Sequence, residues 1–211
     1  MNGKRNWKPL TPDTWKDFET LFGPRGACGG CWCMTWRLPV ATFKSNGSAG
    51  NRAAMRALVD AGHEPGVLLY EDGRAVAWCA VAPREEYVRL GASRVWAPVD
   101  EEKVWSVSCF FVEKKARGKG LTVAVLNAAA EFARSKGAKI LEGYPQELKE
   151  KLPPAFVWTG VMPTFVHAGF SVAERRSPKK PIVRMVVAKS KGESKIKSEA
   201  KSKKKSGAKT R

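Results

Sequence analysis

Arg117, Gly118, Lys119 and Gly120 put two cationic side chains and two residues without a Cβ into four consecutive positions. Glycine lets a turn aim its backbone N–H groups inward, and the cations supply countercharge, so the chemistry this run suggests is phosphate binding. Two other sets of residues could do chemistry. Cys28, Cys31 and Cys33 lie in Gly26-Ala27-Cys28-Gly29-Gly30-Cys31-Trp32-Cys33-Met34-Thr35-Trp36-Arg37, where thiolates could hold a soft metal or form a redox pair. Glu142 is a lone acid in the apolar run Ala138 to Gly143 and is a candidate general base.

The elements that must position the glycine turn can be read from spacing. Val104 to Val112 is an apolar strand. Beyond the turn, Leu121, Val125, Ala128, Ala129 and Phe132 fall on one face of a helix, which Gly137 ends. Ala138 to Gly143 then reads as a strand parallel to the first across a βαβ crossover. The turn thus meets a helix N-terminus, whose first N–H groups lack partners and carry the positive end of the dipole. A Walker loop is excluded because Gly120 follows Lys119 where Ser or Thr is needed, and a dinucleotide fingerprint because Val123 stands where its third glycine belongs. A solvated βα loop remains the plain alternative.

Arg117-Gly118-Lys119-Gly120-Leu121-Thr122 resembles the acyl-CoA loop of the GNAT acyltransferase superfamily, Arg/Gln-x-x-Gly-x-Gly/Ala, with Thr122 in place of the last small residue. The resemblance implies that the backbone of Arg117, Gly118, Lys119, Gly120, Leu121 and Thr122 holds the CoA pyrophosphate. It also implies that the peptide edge of Phe111 and Val112 pairs with the pantetheine arm, that acetyl-CoA is the co-substrate, and that an amine attacks it directly in a ternary complex. Many members carry a tyrosine four residues before the glycine of a late Gly-Phe pair, to protonate the departing thiolate. Gly169-Phe170 matches that pair, and the tyrosine position is Phe165.

The remaining order agrees with that family's α/β fold, a mixed sheet with a central βαβ unit. Thr11-Pro12 opens a helix whose stripe is Trp15, Phe18, Leu21 and Phe22; a second helix runs from about Asn51 to Ala61. Val67–Tyr70 and Ala75–Ala82 flank Glu71-Asp72-Gly73-Arg74 and form an antiparallel hairpin. After Pro145 come a helical stretch around Glu147 to Lys151, another from Gly160 to Phe170, and strands near Ser171–Arg175 and Ile182–Ala188. The resemblance covers roughly Trp7 to Ala188.

For the base, Glu101 and Glu102 stand beside Glu142 as candidates, although exposed acids are usually only solvated. Ser106, Ser108, Cys109 and Tyr144 are the polar candidates for proton donation. His167 is a further candidate base, although a lone histidine at a helix end is more often a cap or a solvated residue. Trp32, Trp36, Arg84 and Trp105 are candidate acceptor-pocket residues, with Trp96, Trp158 and Tyr87 behind them. The cysteine run lacks a second Cys-x-x-Cys, and a fourth ligand would have to come from Cys79, Cys109, His63 or His167; no metal is expected. The run resembles a motif of a GNAT subgroup, which implies an acceptor-pocket wall.

The chain has 211 residues and a net charge of +18. Residues 1–188 suffice for one core, whereas residues 189–211 hold nine lysines and Arg211 against Glu193 and Glu199, +8 in all, with almost no large apolar side chain. Such a segment is expected to be a disordered polycation able to contact nucleic acid without sequence choice. No apolar run suggests a membrane partner, and five cysteines, an odd number, suit a reducing cytoplasmic setting. The function expected is N-acetyl transfer. The alternative is an acyl-CoA-binding, nucleic-acid-associated protein with little turnover.

Overall fold

Asp72 and Gly73 both take positive φ, 51° and 79°, the backbone that a tight hairpin turn of native twist requires. They join β2 (Gly66–Glu71) to β3 (Arg74–Pro83). The computed structural model describes residues 4–148, 150 and 152–187. It adds to this hairpin β1 (Arg5–Pro9), β4 (Trp105–Val112), β5 (Ile140–Gly143), β6 (Ser171–Glu174) and β7 (Ile182–Val186). The sheet order is β1-β2-β3-β4-β5-β7-β6. Every neighbouring pair is antiparallel except β4 and β5, which are parallel. The fold is a mixed α/β sheet flanked by helices.

Among the described residues the α-helices are α1 (Trp15–Phe22), α2 (Val40–Asp60, broken at Gly47), α3 (Val88–Gly91), α4 (Leu121–Ser135) and α5 (Met162–His167). Strand alternation sends Val67, Leu69, Val76, Val107 and Phe110 to the α4 face, where they bury Leu121, Val125, Ala129 and Phe132. The opposite residues Leu68, Tyr70, Trp78 and Ala80 meet Trp15, Phe18 and Phe22 of α1 with Met55 and Val59 of α2. The helical stripes of α1 and α4 are therefore the core-facing ones.

Several elements differ from the sequence expectation. β1 is an edge strand too short and polar to show a strand pattern, anchored where the Trp7 indole donates to Glu131 Oε2 at 2.9 Å. α2 starts eleven positions before Asn51 because its first turns are exposed and carry no apolar stripe. Near Glu147, the described residues Glu147, Leu148 and Glu150 are not helical. There the chain is held by backbone pairing of Gln146 with Val161 and Gly160, and α5 is shorter than Gly160 to Phe170. The basic segment 189–211 and the proposed boundary at Ala188 lie outside the described residues. Among the described residues no helix is long and apolar enough to cross a membrane.

The parallel pairing of β4 and β5 is short. Trp105, Ser106 and Val107 face Leu141, Glu142 and Gly143, and no further residues pair. In β4, Val107 pairs with Val81 and Cys109 with Ala80, leaving Ser108 as an extra residue in a bulge, which bends the strand and re-aims the residues after it. Beyond the bulge β4 runs on to Val112 while the chain leaves β5, so the sheet opens into a split beside Phe110 to Val112.

Candidate functional site

The split leads into a cavity of about 1230 Å³, larger than the ~300–1,000 Å³ of most small-molecule sites. One end is the β4–α4 junction, with Phe111, Val112, Arg117 and Thr122 in its lining; the other is the cysteine segment, with Cys28, Cys31, Cys33 and Trp36. Val161 and Thr164, at the start of α5, close a side.

At the junction, Arg117 is extended, Gly118 has φ 80° and Gly120 caps α4 in the left-handed conformation at φ 70°. A Cβ on either glycine would meet nothing within 4 Å, so backbone angle rather than space calls for glycine there. No side chain caps α4, and its first-turn N–H groups therefore remain available at the positive end of the dipole. Lys114, Lys115, Arg117 and Lys119 are exposed around them. These features fit a diphosphate.

Next along the split, the Phe110 N–H takes the Trp158 carbonyl at 2.6 Å, and the Glu113 N–H takes Val76 of β3. Alternation then turns the Val112 N–H toward the cavity and the Phe111 N–H toward β3. The open peptide edge is thus that of Val112, and Phe111 contributes its ring. The Arg117 Nε donates to the Val112 carbonyl at 3.0 Å, tying the turn to the strand.

The cysteine segment is an irregular wall. Ala27, Trp32 and Cys33 take positive φ without being glycine, a conformation tolerated only where surroundings over-determine it. Trp32 is the peg. Its ring stacks on Phe22 at 5.8 Å, packs on Phe18 at 6.0 Å, and its Nε1 donates to Ser48 Oγ at 3.1 Å. A Cβ at Gly26 would lie 2.2 Å from that nitrogen. The Trp78 indole donates to Cys33 Sγ at 3.0 Å, and Asn51 Nδ2 donates to the Gly30 carbonyl. Hydrogen bonding to Cys33, then burial, holds the Cys109 thiol well above its usual range; burial pushes Cys31 up to about 11. Both are neutral thiols at pH 7. Among the described residues no group of three or more His, Cys, Asp or Glu is disposed to hold a metal ion.

Four sequence candidates are placed away from the cavity. Trp32 lies behind its wall. Trp105 sits on the α4 face, edge-on to Phe132 at 5.8 Å. Arg84 and Glu142 pair with each other at 2.7 Å, and this corrects the base assignment. Glu142 is 0% exposed; its Oε1 also accepts from the Tyr144 hydroxyl at 2.7 Å and its Oε2 from Arg184 Nε at 2.8 Å. With its oxygens so engaged and no face on the cavity, it clamps β5 to β3 and β7. Arg84 in turn donates to Tyr144 and the Trp96 carbonyl. Tyr144 and Ser106 bond to each other, and Ser108, Glu101, Glu102 and His167 are likewise absent from the lining.

Phe165 is also 0% exposed. Its ring stands edge-on to Phe110 and Phe170, and a Cβ at Gly143 would fall 2.1 Å from it. It plugs the base of the split. Trp36 and Cys109 do line the cavity. Sequence reasoning missed Thr164 and Phe43, which also line it; Thr164's place next to Phe165 was the available signal, whereas Phe43 had none.

The family model described as "Acetyltransferase (GNAT) family" matches residues 32–146. Among solved structures, a GNAT-family acetyltransferase from Listeria monocytogenes aligns with TM-score 0.53 and 11% identity, over 86% of this chain and 94% of that one. An uncharacterized protein from Bacillus halodurans aligns with TM-score 0.52 and 11% identity, over 88% and 85%. At such identity these two show the fold. A search of curated proteins by sequence finds no match.

Proposed function

The chain belongs to the acetyltransferase (GNAT) family, and from that premise we propose that it moves an acetyl group from acetyl-CoA to an amine by direct attack in a ternary complex. The observation that carries this reading is the continuity of one cavity from the phosphate-binding turn, past the free edge of Val112, to the cysteine wall. Arg117 to Thr122 would grip the diphosphate, and the Val112 N–H would take the pantetheine arm or the developing oxyanion. The thioester is already activated. The protein's contribution would then be mainly to hold donor and acceptor together and exclude water. Residues 1–188 would form the transferase domain and 189–211 a polycationic appendage.

The test is acetyl-CoA-dependent thiol release across an amine panel with both substrates varied. Intersecting initial-rate lines are expected. Parallel lines would indicate an acetyl-enzyme and overturn direct attack. A second reading draws on Phe165, which cannot donate a proton: an acyl-CoA-binding protein, held to nucleic acid by residues 189–211, with little turnover. Saturable acetyl-CoA binding without thiol release would favour it.

A further inference from the structure

Among the described residues, the proposed acceptor end of the cavity is lined by no acid and no imidazole. Among the described residues lining it, only Arg25 and Arg117 are charged, and Arg117 belongs to the glycine turn. Phe22, Phe43, Phe111, Trp36 and Trp158 supply an aromatic surround. The thiols that line it are Cys28, Cys31, Cys33 and Cys109. The Arg25 side chain is exposed at the rim and has no ion-pair or hydrogen-bond partner among the described residues.

Such a chamber is hostile to an alkylammonium. Moving that cation out of water with no carboxylate to meet it costs heavily, and Arg25 repels it. An alkylamine of pKa ~10.4 is uncharged in only about one molecule in 2,500 at pH 7, and no described residue lining the cavity is placed to take its proton. An aromatic amine differs in each respect. Its lone pair is drawn into the ring, so it is already neutral at pH 7, and its flat body suits aromatic walls.

Resting on the transferase reading, we propose that the acceptor is an aromatic amine carrying an anionic substituent that faces Arg25. The amine lone pair forms the N–C bond to the acetyl carbon, and the C–S bond breaks. The proton shed by nitrogen passes to the departing CoA sulfur. Atoms and charge balance without a protein base or acid. That is consistent with Glu142 being locked in ion pairs and with phenylalanine at position 165.

The experiment compares 4-aminobenzoate, aniline and benzylamine as acceptors for the full-length protein, by thiol release from acetyl-CoA between about pH 6 and 9, with acetyl-CoA binding measured separately. Expected is a kcat/KM for 4-aminobenzoate that exceeds that of benzylamine at least about tenfold near pH 7 and is flat with pH, while benzylamine climbs about tenfold per unit. Arg25→Gln should abolish the preference for 4-aminobenzoate over aniline. Benzylamine acetylated faster than both aromatic amines at pH 7 would overturn the proposal and leave the transferase reading standing. Acetyl-CoA binding with no release from any amine would overturn both.

Discussion

The glycine turn and the cysteine wall face each other across one cavity and are built in opposite ways. At Arg117–Thr122 the presented groups are backbone N–H donors, aimed by the end of β4, two positive-φ glycines and a helix start. Side-chain identity matters little there beyond charge. At Gly26–Trp36 the backbone is irregular, with Ala27, Trp32 and Cys33 in left-handed conformations, and each is held by packing from α1, α2 and β3. On the proposed function, the first construction would bind the same diphosphate on any scaffold that repeats the junction. The second depends on every neighbour, so it is suited to setting what acceptor is admitted.

That contrast can be broken by substitution. Trp32→Ala removes the peg of the wall and should cost about 3–5 kcal/mol of stability, read by denaturant unfolding, with acetyl-CoA affinity unchanged in the folded fraction. Loss of acetyl-CoA affinity on the same scale as acceptor affinity would mean the two ends are one unit. Glu142→Gln leaves Arg84 and Arg184 short of a countercharge and should destabilise by about 3 kcal/mol, while the pH–rate profile keeps its shape. A stable variant whose alkaline-rising limb disappears would restore Glu142 as a base. Replacing Gly118 and Gly120 by Val forces two β-branched residues into the left-handed region and misaims the N–H donors. Calorimetry should show acetyl-CoA binding weakened about 10²-fold, with a smaller loss of stability than Trp32→Ala.

The smallest effect concerns the thiols. Cys31 keeps its proton up to about 11 when folded, against a usual 9.0. Above the usual value the unfolded chain ionises first, so stability should fall as pH rises between the two, and Cys31→Ser should flatten that fall. At neutral pH iodoacetamide should label exposed Cys28 before Cys31 or Cys109, as peptide mapping would reveal; equal labelling would mean the wall opens readily.

The regions legible in the sequence were those with local periodicity or turn chemistry. The Asp72-Gly73 hairpin, the stripes of α1 and α4, the parallel β4–α4–β5 unit and the glycine turn all follow from patterns within a few residues. β1 was hidden because an edge strand of five mostly exposed residues has no apolar alternation. The first half of α2 was hidden because little of it is buried. Trp32, Trp105 and Arg84 were misread as pocket residues since aromatic and cationic types look alike in sequence whether they face a cavity or its far side.

Sequence alone determined the backbone of the turn at the proposed donor end, because glycine and helix-start signals encode that geometry locally. Tertiary structure decided the acceptor end. Glu142's role depends on Arg84, from the turn after β3, and Arg184, from β7, arriving beside it and its near neighbour Tyr144. The split beside β4 depends on a bulge at Ser108 and on the Phe165 ring set between Phe110 and Gly143. Such contacts join residues distant in the chain, and their energies exist only once the sheet has formed.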